Sequence, residues 1–451
     1  MSAEEPAEIR RKIEALAAQG VDVVRIVYPD LIGSDRGRDI LLHHLPNAIG
    51  HGLAFCRAIY HTAARGEHSD IPGGLDTGMP DIAVRPDMAT LVRLPWEPGV
   101  AWCIGDARDP KTGLPTPESP RDLLRQVTDR LRQTGLTAVV GPELEYVLLD
   151  PDPDSPTGWR RYTDAPGNVY AVGRRGDPDG HLLRTLRHLH DLGIGVSGGN
   201  REFDGGQFEI NLDHSEALDA ADRAFRFKAA VKELARIEGR LATFMAKPLN
   251  DGGGSGFHLH LSIVDNDEHN IFDDPDQPYG LSATARHAIA GLLNHAPALA
   301  ALLNPTINSY KRFGPETTAP WLIDWGLDNR TAMLRIPPER GAATRLEIRL
   351  ADATANPYLA IAGLVAAVHL GISDAAEPPT PMSGYGYDPA AAPTLPTHLG
   401  EALEALEADD RLIDVLGKSF TEAFFTFKRD ELARFRSYVT DWEFREYAQL
   451  L

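Results

Sequence analysis

This sequence has very little cysteine and fewer positively than negatively charged residues. Its 451 residues contain two cysteines, Cys56 and Cys103, so it cannot carry the disulfide framework that holds small secreted domains together. Lysine and arginine number 45 against 65 aspartates and glutamates, which gives a net charge of −20. Because so acidic a chain repels nucleic acid and anionic membranes, the sequence predicts neither as a partner.

The sequence also lacks an uninterrupted apolar run of membrane length, and the segment from Met1 to Pro6 is acidic where a signal peptide is basic. We therefore expect a cytoplasmic protein with no membrane partner. Hydrophobic residues make up 43% of the chain, which is ample for a core in two or three domains. Proline and turn formers at residues 109–117 predict a boundary between a small α+β domain, residues 1–110, and a larger domain, residues 111–451.

Periodicity and turn signals predict the elements of both domains. The small domain should begin with an amphipathic helix over residues 7–19 and continue with strands at 21–28, 36–42, 88–95 and 100–106, with turn-rich sequence at 66–86. In the larger domain, Ser119 and Pro120 predict a helix that runs to Gly135. Further helices are expected at 180–192, 216–239, 281–303 and 355–371, strands at 331–336 and 344–350, a proline-rich loop at 373–397, and a helical tail from 398.

Four predicted strands of the larger domain carry chemically reactive side chains on one face only. Successive side chains of a strand point to opposite faces, so Glu143 and Glu145 project together while Leu144 turns away. The same alternation aligns three further sets: Glu209 with Asn211, His258 with His260 and Ser262, and Arg345 with Glu347 and Arg349. An antiparallel sheet with one packed and one solvated face explains each strand by itself. It does not explain why these polar faces hold Glu, His and Arg and hardly any Ser, Thr, Lys or Gln.

A metal site explains that choice of residues. Neighbouring carboxylates repel one another and raise each other's pKa unless a cation lies between them. Glutamate oxygens with one imidazole suit Mg or Mn, and the imidazole favours Mn somewhat. Arginines among metal-binding carboxylates indicate an anion held against the metals, with phosphate as the natural candidate. Metal, arginine and phosphate together are typical of phosphoryl transfer.

Several motifs resemble the signatures of the glutamine synthetase family. Lys247-Pro248-Leu249, followed by Gly253-Gly254-Ser255-Gly256-Phe257-His258 and by Ser262, is similar to the region that binds ATP in that family. The resemblance runs over residues 20–450, in the family's order, through Gly141-Pro142-Glu143-Leu144-Glu145, Gly206-Gln207-Phe208-Glu209, Asn308-Ser309-Tyr310-Lys311-Arg312, Asn329-Arg330, Arg335-Ile336-Pro337, Arg345-Leu346-Glu347-Ile348-Arg349 and Ala355-Asn356-Pro357-Tyr358-Leu359.

This resemblance implies an α+β fold. It consists of a β-grasp-like N-terminal domain and a catalytic domain whose curved antiparallel sheet forms a funnel-shaped active site. The implied assembly is a homo-oligomer, usually a dodecamer of two stacked hexameric rings, with active sites at subunit interfaces. The implied cofactors are ATP and two or more Mg or Mn ions per site, and the implied substrates are glutamate and an amine.

The resemblance also assigns residues. One metal falls to Glu145, Glu202 and Glu209, and the second to Glu143, His258 and Glu347. The nucleotide side is assigned His260 and Ser262, with Arg335 and Arg345 on the ATP phosphates. The catalytic arginines, which would hold the glutamate carboxylates and the transferred phosphoryl group, are Arg312, Arg330 and Arg349. The chemistry implied is conversion of the γ-carboxylate to an acyl phosphate, which an unprotonated amine then displaces.

Two positions depart from the family where ammonium would bind. The family's N-terminal Asp-Gly-Ser-Ser motif should fall near Phe55-Cys56-Arg57-Ala58, and the glutamate of its flap should fall at Thr318. No carboxylate stands at either place, and Glu316 lies two positions from the flap site. A third departure is Gly253, where the family usually has Asn near the α-amino end of glutamate. Because a small cation is held mainly by negative charge, we expect an organic amine as the substrate: a polyamine, a monoamine or an amino alcohol.

Other functions stay open at this point. A true glutamine synthetase that uses ammonia is one, a catalytically silent structural or regulatory homologue is another, and a guanidino kinase that stops at phosphoryl transfer is a third. The silent homologue is disfavoured because so many charged groups facing one empty pocket would oppose stability.

Overall fold

The first of two sheets is built entirely from residues 23–108. The computed structural model describes residues 5–164, 169–315, 317–449 and 451. Helix α1 (Glu5–Ala18) precedes the sheet, and α2 (Leu45–His51) lies within its sequence. The strands are β1 (Val23–Pro29), β2 (Asp35–Leu41), β3 (Leu53–Cys56), β4 (Asp81–Pro86), β5 (Val92–Arg93) and β6 (Val100–Arg108). Their order is β2-β1-β6-β4-β3, with β5 on β6. The central pair β1 and β6 is parallel and its neighbours are antiparallel, as in a β-grasp-like domain.

Two predictions for this region were wrong. Strands β3 and β4 were not predicted, although Ile82 and Val84 of β4 alternate with exposed residues, because turn formers surround them. Of the strand predicted at 88–95, only the two residues of β5 form a strand. Its first half is a single helical turn over Met88–Thr90, because the Asp87 carboxylate accepts a hydrogen bond from the Ala89 amide and caps that turn.

The second sheet contains ten strands and carries the reactive faces. Its strands are β7 (Thr137–Pro151), β8 (Trp159–Arg161), β9 (Val196–Arg201), β10 (Gln207–Leu212), β11 (Ser215–Glu216), β12 (Leu241–Thr243), β13 (Phe257–Val264), β14 (Trp325–Leu327), β15 (Leu334–Ile336) and β16 (Leu346–Ile348). The main order is β14-β15-β16-β13-β7-β10-β9, and β8, β11 and β12 also pair with β7. Apart from the parallel pair β14 and β15, these strands are antiparallel. Long β7 therefore links the half of the sheet that holds His258 to the half that holds Glu209.

Ten helices of the described residues accompany this sheet. They are α3 (Pro120–Arg132), α4 (His181–Asp191), α5 (Ala217–Ile237), α6 (Ala283–Asn294), α7 (Ala296–Leu303), α8 (Pro357–Asp374), α9 (Leu399–Glu407), α10 (Asp410–Leu416), α11 (Lys418–Arg436) and α12 (Asp441–Tyr447). Of these, α3, α4 and α5 pack directly on the strands of the sheet. The start of α3 is confirmed, because the Ser119 hydroxyl accepts from the Asp122 amide. The single helix predicted at 281–303 is divided into two helices, α6 and α7, by a break at His295 just before Pro297.

Helix α8 lies at the centre of the core. By length and composition alone it could cross a membrane, but 78% of it is buried inside the fold. Its start is capped by Asn356, whose side-chain oxygen accepts from the Tyr358 amide. The Asn356 amide nitrogen donates to the backbone oxygens of Asp30 and Leu31 at 3.0 and 3.3 Å, so this one residue also holds the first sheet.

A buried arginine makes a second connection between the two parts of the chain. The Arg121 guanidinium donates to Asp87 and Asp106 beside the first sheet and to Asp222 of α5, at 2.5 to 2.9 Å. Asp222 also accepts from the Tyr358 hydroxyl at 2.7 Å. The boundary at residue 110 falls between β6 and α3 and stays a prediction.

Candidate active site

Strand pairing brings the predicted reactive faces together. The antiparallel pairing of β7 with β13 sets Glu143 opposite His258, and that of β7 with β10 sets Glu145 opposite Glu209. Strand β16 then sets Glu347 opposite His260. The alternation of strands puts all these side chains on one face, because Leu144, Phe257 and Leu259 on the other face are completely buried in the core.

Two groups of side chains are close enough to share a cation. The ligand atoms of Glu143, His260 and Glu347 lie within 4.8 Å of one another, and so do those of Glu143, Glu209 and His258. The grouping by metal implied by the resemblance differs, since it joins His258 to Glu143 and Glu347 and places His260 on the nucleotide side. Glu143 belongs to both groups, and its oxygens lie 2.9 Å from His260 Nε2 and 3.7 Å from His258 Nδ1.

The charges of this site fit divalent cations. Burial raises the pKa of Glu209 to about 9, with help from the charges of Glu143, Glu145 and Glu202. Burial and then the Glu145 charge raise the pKa of Glu202 to about 7. A cation between these carboxylates would relieve their repulsion. Burial also lowers the pKa of His258, which keeps its imidazole neutral, the form that binds metals.

Glu143 on β7 and Glu347 on β16 are held as carboxylates. Burial by itself would raise the pKa of Glu143, but the imidazoles of His258 and His260 beside it outweigh burial and hold the pKa far below the ordinary value. For Glu347, burial is outweighed by His258, which is protonated at the low pH where this carboxyl titrates, and by the charge of Arg349, and its pKa falls to about 2. These two glutamates therefore stay ionised in the folded protein over the neutral pH range.

Short hydrogen bonds hold the remaining predicted metal ligands. Glu145 accepts from the Gln207 amide at 2.8 Å and from the Gly256 backbone amide at 2.9 Å. Glu202 follows directly after β9 and accepts from the Asn200 side chain at 2.8 Å. A side chain at Gly253 would meet Gln207 Oε1 at 2.9 Å, so the glycine leaves room for the residue that orients Glu145.

The predicted arginines occupy three different environments. Arg335 and Arg349 both donate to the Glu347 carboxylate, at 2.5 and 2.7 Å. Arg312 is buried and donates to the backbone oxygens of Leu350 and Arg349. Arg330 is exposed in the turn after β14, and its charge opposes part of the rise in the pKa of Glu202. All four therefore lie beside the carboxylate groups.

Three of the four predicted nucleotide residues line one cavity. His260, Ser262 and Arg345 border a cavity of about 370 Å³ that Glu143 and Asn211 also reach. The Arg345 Nε donates to His260 Nδ1 at 3.1 Å, which leaves His260 Nε2 facing Glu143. Arg335 is not among the residues lining this cavity, since it is turned toward Glu347 and Asp328.

The described residues of the flap and of the N-terminal segment that depart from the family belong neither to the two groups of possible metal ligands nor to the cavity beside them. Thr318 is exposed, has a left-handed backbone with φ of 59°, and its hydroxyl donates to the Thr317 carbonyl oxygen. The next residue, Ala319, accepts from the buried Tyr387 hydroxyl at 2.9 Å. Cys56 is exposed at the end of β3. Glu316 lies outside the described residues.

Sequence reasoning missed the residues that position the carboxylates. Gln207 shares the face of Glu209 and Asn211, so alternation along β10 could have found it. Asn200 gave no such signal. Strand β9 includes Gly198, Gly199 and Asn200, and without apolar residues in alternation it does not read as a strand.

Comparison with known proteins agrees with this geometry. Residues 117–447 match the family described as glutamine synthetase, catalytic domain. The glutamine synthetase of Halobacterium salinarum is 33% identical, covering 98% of this chain and 96% of its own. The gamma-glutamylethanolamide synthetase GlnA4 of Streptomyces coelicolor is 36% identical, covering 96% of this chain and 94% of its own. Among solved structures, a GmaS/ADP complex is 33% identical with a TM-score of 0.85, over 97% of this chain and 99% of that one.

These matches confirm the resemblance and the fold expected from it: a mixed α/β architecture in which the larger sheet curls into a half barrel with the carboxylates on its polar face. Members of the family are ligases that use ATP and divalent metals. The chain belongs to the glutamine synthetase family.

Proposed function

We propose that this glutamine synthetase-type ligase joins the γ-carboxylate of glutamate to an organic amine and so makes a γ-glutamyl amide. The observation that carries the proposal is the missing pair of carboxylates, at Thr318 and in the segment Phe55-Cys56-Arg57-Ala58. In their absence an ammonium ion loses the charges that would hold it, and an amine with a carbon substituent can be held by apolar contact instead.

An apolar cavity beside that segment supports the proposal. Tyr28, Phe55, Cys56 and Met79 help to line a space of about 380 Å³ in the first sheet. The rings of Tyr28 and Phe55 pack edge to face with centroids 5.1 Å apart, and the Arg38 guanidinium lies over Phe55 at 4.9 Å. In the assembly that the family implies, this surface would face the active site of a neighbouring subunit and receive the substituent of the amine.

The relatives support both an organic amine and ammonia. GlnA4 is named for a γ-glutamyl amide of ethanolamine, whereas the relatives from Halobacterium salinarum and Methanocaldococcus jannaschii, at 33% and 35% identity, are named glutamine synthetase. The second candidate function is therefore glutamine synthesis from ammonia. The two candidates predict opposite orders of substrate preference.

The proposal assigns the chain's residues as follows. Glu143, Glu145, Glu202, Glu209, His258 and Glu347 would hold two or more Mg or Mn ions, which supply positive charge to ATP phosphates and to a transferring phosphoryl group. His260, Ser262 and Arg345 border the space for the nucleotide, and Arg335 would reach its phosphates after leaving Asp328. Arg312, Arg330 and Arg349 would hold the carboxylates of glutamate and the phosphoryl group in line, because guanidinium groups bind both as paired donors.

Assembly and location belong to the same proposal. We expect a cytoplasmic homo-oligomer, with twelve subunits as the family implies and with active sites between neighbours. Mass photometry of the purified protein measures the subunit number directly. A stable monomer with full activity would contradict active sites that are shared between subunits.

The experiment measures phosphate release from ATP with Mg or Mn and glutamate, in separate reactions with ammonium, methylamine, ethanolamine and putrescine. Mass spectrometry identifies the γ-glutamyl product. We expect kcat/KM for one organic amine to exceed that for ammonium by at least tenfold. The Glu347→Gln variant controls for contaminating ATPase activity. A preference for ammonium would establish the second candidate, and phosphate release with no amide product would refute both.

A further inference from the structure

A cavity of about 620 Å³ lies beside the turn that joins β1 to β2 in the first sheet. The turn between β1 and β2, helices α5 and α11 and the start of α8 border it. None of the predicted site residues lines it. It is thus separate from the candidate active site and has no role in the chemistry proposed above.

Positive charge is concentrated in this cavity although the whole chain is strongly acidic. Its cationic lining residues are Arg65, Lys228, Lys232, Arg236, Lys428 and Arg434, and Glu431 is the one acidic residue among those that line it in the described part of the chain. Lys428 is neutralised by Glu431 at 2.9 Å, and Arg434 contacts Asp430 at 3.0 Å. The other four cations form no ion pair within residues 5–164, 169–315 and 317–449.

Lys228 is enclosed by protein, and Lys232 beside it is partly buried. Lys228 is 5% exposed, and its ammonium donates to the Ala355 backbone oxygen at 2.9 Å. Its ammonium and that of Lys232 lie 5.4 and 5.7 Å from the centre of the Phe244 ring. Burial lowers the pKa of both lysines. A buried ammonium without an anionic partner is costly, so an anion between the two lysines would relieve a cost present in the empty cavity.

Apolar side chains form the rest of the wall. Ile32, Phe244, Leu302, Leu359 and Phe424 border the same space. An inorganic ion would leave this surface in contact with water, whereas an organic body would cover it. The cavity is large enough for a small organic molecule, since such sites commonly measure about 300–1,000 Å³.

We propose that this cavity binds an amphipathic organic anion, with a carboxylate or phosphate group between Lys228 and Lys232 and an apolar body against Phe244 and Leu359. The head group accepts hydrogen bonds from two ammonium groups that form no ion pair with a carboxylate in the described part of the chain. The apolar body displaces water from the wall between α5 and α8.

The test uses 8-anilinonaphthalene-1-sulfonate as the anionic probe and N-phenyl-1-naphthylamine, which has the same rings without the charge, as its neutral match. Saturating ADP and Mg occupy nucleotide sites during both titrations. We expect the sulfonate to bind with one site per chain and at least tenfold more tightly than the neutral probe. Equal affinity of the two probes, or no saturable binding, would overturn the proposal.

Variants place the binding in this cavity. Lys228→Met and Lys232→Met should each weaken sulfonate binding at least tenfold and leave the neutral probe's affinity unchanged, which also shows that the fold is intact. Lys418→Met, at an exposed lysine with no ion pair among the described residues, should change neither. If both cavity variants bind the sulfonate as wild type does, the site lies elsewhere and the proposal fails.

Displacement of the sulfonate then identifies the head group. Octanoate and octyl phosphate share an apolar tail and differ in the anion, so the more effective competitor shows whether the cavity prefers a carboxylate or a phosphate. Failure of both to displace the probe at millimolar concentration would overturn the proposal.

Discussion

Replacing Lys228 by methionine should stabilise the protein at neutral pH and lose that effect at high pH. Methionine matches the unbranched lysine stem and carries no charge. Burial, reinforced by the charge of Lys232 and opposed by that of Asp352, lowers the pKa of Lys228 from 10.5 to about 7. The charged form is thus disfavoured in the folded state.

The direction of this pH dependence follows from the pKa of Lys228 in the unfolded and folded states. Above pH 10.5 the lysine is neutral in both states and costs nothing, and below pH 7 it is charged in both and carries the full cost of burial. Wild-type stability should therefore rise between pH 7 and pH 10.5. At roughly 1.36 kcal/mol per pKa unit, the cost is about 4 kcal/mol at pH 7 and about 1 kcal/mol at pH 10.

The assay is thermal unfolding of both proteins at pH 7 and pH 10 without added anions. An unfolding entropy of roughly 2.1 cal/mol/K per residue means that about 1 kcal/mol shifts Tm by about 1 °C in a chain of this length. The lost hydrogen bond to Ala355 offsets about 1 kcal/mol of the gain. Lys228→Met should therefore melt about 3 °C higher than wild type at pH 7 and at about the same temperature as wild type at pH 10. Lys418→Met controls for loss of an exposed lysine. A difference in Tm that stays constant with pH would refute the reasoning.

Three further predictions concern the candidate active site. Gly256→Ala should lower kcat at least a hundredfold, because the new Cβ would lie 2.9 Å from His258 Nε2 and 3.0 Å from Arg312 Nη2, whereas Gly141→Ala, whose Cβ meets nothing closer than 3.5 Å, should retain activity. Equal activity of the two variants in steady-state assays would contradict the crowding argument. Glu209→Gln removes a carboxyl group that a bound cation would hold in its ionised form and should weaken Mn binding at least tenfold by calorimetry, and an unchanged affinity would show that Glu209 is not a ligand. Tyr387→Phe frees Ala319 of the flap and should raise KM for the amine severalfold with KM for ATP unchanged; a parallel rise in both would argue for general unfolding instead.

The reactive faces could be predicted from sequence because strand geometry has a period of two. Apolar residues stand directly before or after Glu143, His258 and Glu347 and so lie on the opposite face of each strand. The residues that share a strand face can therefore be predicted without knowledge of strand pairing. The pairing itself depends on contacts distant in sequence. That Glu143 would contact both His258 and His260 therefore needed the register of β7 against β13.

Three features of the structure could not be predicted from the sequence, each for a physical reason. Glu202 lies after β9, a strand of glycine and polar residues that is specified by its pairing with β10 rather than by its own composition. The boundary between α6 and α7 was missed because a long apolar helical pattern continues through His295 while the backbone does not. The basic cavity was missed because Lys228 and Lys232 lie on α5 and Lys428 on α11, whereas Arg65 comes from near the other end of the chain.

The two connections made by Asn356 and Arg121 limit how this enzyme can open. One cap residue ties the start of the central helix to the backbone of Asp30 and Leu31, and one buried guanidinium bridges carboxylates on both sides of the boundary. A hinge between the two sheets within one chain would break both sets of hydrogen bonds at once. Substrate entry and product release should therefore proceed by displacement of surface loops such as the one that carries Thr318, while the two sheets of the chain move as a single rigid body.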